Sequence, residues 1–91
     1  MRTGEVLASG TEKLCALLLP LEALNARNAV LFARAIVAAL SVLYPALLPR
    51  RQCLEYSLLP TMSSELAERK SITERDALRE MVLRIVEKIE D

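Results

Sequence analysis

The longest apolar run in the chain, "NAVLFARAIVAALSVLYPALLPRR" from Asn28 to Arg51, sets the first question. From Ala29 to Leu48, 17 of 20 residues are apolar. That is close to the length needed to cross a bilayer. It also suits a helix enclosed by protein on most sides. The flanking segments favour enclosure. Period-two alternation is absent throughout, so strands are not expected, and helical spacing recurs from end to end.

The clearest element is the last. In "DALREMVLRIVEKIED", Leu78, Met81, Val82, Ile85, Val86 and Ile89 fall within an arc of about 140° at 100° per residue, with Leu83 outside it. Ser71 and Glu74 have capping-box spacing, and Thr73 followed by Glu74 and Asp76 offers a second start. A first helix is expected from Gly4 or Thr11 to Leu19, with Leu14, Leu17, Leu18 and Leu21 as its apolar face. A second starts at Pro20, Asn25 or Asn28 and ends by Tyr44, because the residue before Pro45 avoids the α region. A short third is expected over Pro49 to Leu59, bounded by Pro60. "SSELAERK" is left open between a separate turn and an extension of the last helix. The fold class predicted is all-α: one domain over residues 1–91, a compact bundle of four to five helical segments, packed as a dimer.

Three features argue against a membrane span. Pro45 shortens the central helix to about 17 residues. Arg34 lies within it, where a central charge costs about 2.5–3.5 kcal/mol on insertion scales. Arg27, Arg34 and Ser41 are spaced by seven, with Ala38 between them, and so line one narrow stripe. Lipid gives no reason for a polar stripe, whereas a helix with one strip wet or paired does.

Composition sharpens this reading. The hydrophobic share is 53%, with 18 leucines and 12 alanines among 91 residues. Both residue types favour helix. A domain this small has little interior, so some apolar surface is expected to be covered by another chain. A homodimer is the simplest arrangement, because a twofold contact is self-complementary, and a different protein subunit is the next. The residues expected on that contact are Arg34, Leu31 and Leu40 of the central helix and Leu78, Met81, Val82, Ile85 and Ile89 of the last. Arg34 serves either as an interface anchor or as a core-edge side chain whose stem packs while its head reaches water.

Charge and chemistry narrow the functional classes. Twelve basic and twelve acidic side chains balance, and neither half of the chain is polarised. There is no histidine. That removes His-paired nucleophiles and the commonest zinc ligands. No glycine-rich phosphate loop is present. Glu65 and Glu68, and Glu87 and Glu90, have the spacing of paired metal-binding carboxylates, but the second pair lies on the wet side of its helix. No catalytic residue, metal or cofactor is expected. Arg69, Lys70, Arg75 and Arg79 define a nucleic-acid-binding alternative, in which the capped last helix reads DNA or RNA. Acids alternate with these bases, the usual pattern of a solvated face. Cys15 and Cys53 are expected as buried free thiols in a reducing compartment. The N-terminus makes a poor secretory signal, and a cytoplasmic location is expected.

The function these observations favour is a protein–protein interaction module without enzymatic activity: a small subunit, adaptor or chaperone-like partner. A helical nucleic-acid-binding regulator and a membrane-associated helical protein are the alternatives.

Overall fold

The computed structural model describes residues 10–21 and 23–89, the side chains of residues 23 and 24 excepted. The expected start of the first helix at Gly4 lies outside them, as do Glu90 and Asp91. All regular structure among the described residues is helical. Helix α1 spans Thr11–Leu18, α2 is the short Ala23–Ala26, and α3 spans Ala29–Leu43. A 3-10 segment, Pro45–Arg50, leads directly into α4, Arg51–Glu68. Helix α5 spans Arg75–Glu87.

Local chemistry explains most boundaries. Asn28 caps α3, its Oδ1 accepting from the backbone N–H groups of Val30 at 3.0 Å and Leu31 at 3.1 Å. These are donors that a helix start otherwise leaves unsatisfied. The helix ends at Leu43, since Tyr44 precedes Pro45 and adopts φ −131° and ψ 80°.

Two expectations about α4 and α5 fail for identifiable reasons. The predicted third helix, Pro49 to Leu59, does not stop at Pro60: α4 continues to Glu68 and absorbs "SSELAE". Pro60 removes the hydrogen bond that would reach the Tyr56 carbonyl. Both residues are exposed, so water satisfies the freed oxygen on the wet side. The predicted capping box is also absent. Glu74 occupies the N-cap position of α5 without a side-chain capping bond. The helix therefore caps three residues later than Ser71 implies and one later than Thr73 implies.

The core lies where the four longer helices meet. Helix α3 touches α1, α2, the 3-10 segment and α4, while α5 packs on α1 and α4. Leu14 and Leu18 come from α1, Phe32, Ile36, Val37 and Leu40 from α3, and Leu54, Leu58 and Met62 from α4. Helix α5 adds Leu78, Met81, Val82, Ile85 and Val86. Ile72 is buried as well and pins the α4–α5 connection. Leu17 and Leu21, expected on the buried face of the first helix, are instead exposed. The radius of gyration, 11.7 Å, matches the roughly 12 Å of a compact domain this size. The chain thus encloses more of its apolar material than its composition suggests. Among the described residues no helix is long and apolar enough to cross a membrane.

Candidate interaction face

Helix α3 is apolar almost all round, but only part of it is covered. At 100° per residue, Phe32, Ile36, Val37 and Leu40 turn inward. Leu31, Ala35, Ala38 and Val42 fall within about 60° of one another on the opposite side. Val42 is 70% exposed and Leu31 44%, while Ala35 and Ala38 between them are half-buried. This stripe has bulk at its ends and small side chains at its middle. A neighbouring helix can approach such a saddle closely, since interaxial distance follows side-chain size.

Arg34 flanks the stripe and is exposed. Beside it a shallow dimple of about 70 Å³ lies between α3 and α4, lined by Val30, Ala33, Arg34, Glu55, Tyr56 and Leu59. Val30 is 45% exposed and Tyr56 75%. The face therefore combines aliphatic side chains with one aromatic ring and a guanidinium, and the last two are types enriched where proteins meet.

The structure divides the residues expected on this contact. Leu31 and Arg34 lie on the exposed face. Leu40, Leu78, Met81, Val82, Ile85 and Ile89 do not: each is buried within the chain's own core. The five from α5 and its end belong to the clearest apolar arc in the sequence, and the chain's own core takes up that arc. The expected polar stripe is also altered. Ser41 is buried, its Oγ donating to the Val37 carbonyl at 2.8 Å. Arg27 precedes the helix rather than lying on it.

Arg27 has a different task. It is a non-glycine residue with positive φ, 50°. Its guanidinium donates to the carbonyls of Leu66 and Arg69, and to that of Lys70 at 3.3 Å. Those carbonyls lie at the end of α4, where oxygens lack helical partners. Arg27 thereby fastens the start of α3 to the end of α4.

The residues of the nucleic-acid alternative are largely engaged in ion pairs. Arg69 meets Glu65 at 3.3 Å and Glu80 at 3.4 Å, and Arg84 meets Glu65 at 3.8 Å. Glu65 is buried at the centre of this group and joins α4 to α5. Glu68, three residues further along α4, is exposed. Arg75 reaches Glu12 at 3.5 Å, and Arg79 also pairs with Glu12. The Arg79 hydrogen bond holds the Glu12 carboxyl below the usual carboxylate range; slight burial opposes this, and the charges of Arg79 and Arg75 reinforce it. Lys70 is exposed. The arginines thus belong to a mixed-charge surface that ties helices together.

Cys15 is buried and Cys53 exposed, both as free thiols. Burial pushes the Cys15 thiol up, and the nearby Glu12 adds to the effect. The expectation that both cysteines are buried fails for Cys53, which sits on the side of α4 away from the Leu54, Leu58 and Met62 row. No group of three or more potential metal ligands occurs among the described residues. No protein-family model, curated protein or solved structure matches the chain.

Proposed function

We propose that this protein is a protein–protein interaction module whose α3 face packs against another polypeptide, as a small subunit, adaptor or chaperone-like partner. A second copy of the chain is the simplest occupant, and a different subunit is the alternative. The observation that carries the reading is the stripe of Leu31, Ala35, Ala38 and Val42, left partly or largely exposed on a helix whose opposite side is enclosed.

Magnitudes bear on what the contact must include. Covering the exposed parts of Leu31 and Val42 contributes about 2–3 kcal/mol per chain. Doubled in a twofold dimer, that is about 4–6 kcal/mol gross, against an association cost of about 4–15 kcal/mol. The stripe alone therefore cannot hold a tight dimer. Adding Val30 and Tyr56 raises the gross gain to about 7–14 kcal/mol, enough for a contact in the micromolar range or weaker. An effective interface accordingly extends from the stripe across Arg34 to the Tyr56 flank.

Size-exclusion chromatography with light scattering tests this reading. The wild type is expected to exceed the one-chain mass of 10.1 kDa as concentration rises. Val42→Asp, Leu31→Asp and Tyr56→Ala each lower that tendency without altering helicity. Equal association by all three variants would rule out this face.

A further inference from the structure

The α3 face carries a charge that its own chain leaves unanswered. Among the described residues, every arginine except Arg34 has an interaction partner. Arg34 is exposed at the edge of the stripe and is the only charged residue of α3. A counter-charge must therefore come from another element. Glu55 of α4 is the carboxylate lining the dimple beside Arg34, yet the two do not pair within one chain. Glu55 is half-buried, and its Oε1 lies 3.6 Å from the Arg51 Nε. A loose i, i+4 pair of this kind contributes little.

Symmetry selects the arrangement that brings the two charges together. The stripe of Leu31, Ala35, Ala38 and Val42 reads bulky, small, small, bulky at spacings of four, three and four, the same in either direction. A twofold axis across the helices makes the two α3 segments antiparallel. Leu31 then opposes the partner's Val42, and Ala35 opposes the partner's Ala38. Each flank of Val30, Arg34, Glu55 and Tyr56 also meets the same flank of the partner, because only the direction along the helix is reversed. The partner's Arg34 falls across from Ala39, about 7 Å along the helix, so the two cations do not coincide. A twofold axis along the helices instead makes them parallel and turns each flank toward the opposite side of the partner's α3. Of the two, the antiparallel arrangement covers Val30 and Tyr56 on both chains, the area that the stripe alone lacks. We propose, resting on the α3 face as the interaction surface, that its occupant is a second copy lying antiparallel, with each Arg34 paired to the partner's Glu55.

Charge exchange tests this by sedimentation equilibrium from about 5 to 500 µM, with circular dichroism as the check on folding. Arg34→Glu and Glu55→Arg each place like charges at both symmetry-related contacts, and each is expected to weaken self-association roughly tenfold. An equimolar mixture of the two variants restores opposite charges at both contacts and is expected to associate more tightly than either alone. A mixture no tighter than its components overturns the proposal. If wild type still associates in that case and Val42→Asp does not, the face stands and its occupant is arranged otherwise. A wild type that stays at one chain removes the face and the proposal together. Wild type in about 50 and 500 mM sodium chloride decides the matter even where a variant folds poorly. Salt screening of the two pairs is expected to weaken the dimer roughly threefold, and association unchanged or strengthened by salt overturns the pairing.

Discussion

Replacing Arg27 separates two effects that the fold combines at one residue. Its guanidinium holds three carbonyls at the end of α4, and its backbone occupies the left-handed region at φ 50°. Hydrogen bonds to a charged group contribute about 1.5–3 kcal/mol each when well buried. Arg27 is exposed, and water replaces its donors once the side chain is gone, so the whole clasp is worth about 1–2 kcal/mol. A non-glycine residue in the left-handed region costs about 1 kcal/mol. Glycine avoids that cost but makes the unfolded chain freer by about 0.5 kcal/mol. Arg27→Ala is therefore expected to lose about 1–2 kcal/mol, and Arg27→Gly about 0.5–1 kcal/mol less than that. Arg27→Lys keeps the charge but cannot span three carbonyls, and falls between wild type and alanine. Urea denaturation at 25 °C measures all three, and the alanine variant should also melt about 4–16 °C lower. Two results would refute the reasoning. Stability of Arg27→Ala within about 0.3 kcal/mol of wild type would mean that the clasp carries nothing. Arg27→Gly no more stable than Arg27→Ala would mean that the backbone is not strained there.

Other outcomes follow from the same structure. Leu78→Asp and Ile85→Asp place an unpaired carboxylate in the core and are expected to abolish cooperative unfolding, whereas Val42→Asp leaves the melting curve nearly unchanged. Glu65→Ala leaves Arg69 and Arg84 facing one another without their shared carboxylate, and should cost about 2–3 kcal/mol by urea denaturation. Because Glu12 is held below the usual carboxylate range, its contribution to stability is present above that range and lost as pH falls through its depressed pKa. Carbon-detected NMR titration should find it ionised where ordinary glutamates are already protonating, and Arg79→Gln should return it toward the ordinary value. Thiol counting with a chromogenic disulfide should find one fast cysteine in the native protein, Cys53, with Cys15 reacting only on unfolding.

The limits of reading this chain from its sequence have physical causes. Helix α5 was legible because its polar and apolar residues separate cleanly, and every member of the predicted arc is buried. The same clarity makes such an arc a poor guide to a partner surface, since a strong arc is what the chain's own core uses first. Helix α3 was opaque for the opposite reason. Apolar residues surround it, so periodicity does not say which side stays wet, and only Arg34 marked the outer face. The stripe of Leu31, Ala35, Ala38 and Val42 depends on where α1 and α4 sit, which no local pattern encodes. Proline breaks helix interiors, which makes Pro60 look like a terminator in sequence, but its lost hydrogen bond falls on the solvent side. The clasp of Arg27 joins residues about forty positions apart, and the dimple beside Arg34 joins α3 to α4. Neither leaves a signature in a linear window.

Sedimentation equilibrium of the wild type beside Val42→Asp, from about 5 to 500 µM, tests the central claim most directly. Self-association through α3 predicts a wild-type mass that climbs from 10.1 kDa toward twice that value, while the variant stays at one chain. A wild type that remains a single chain across the whole range, or a variant that associates equally well, would contradict it.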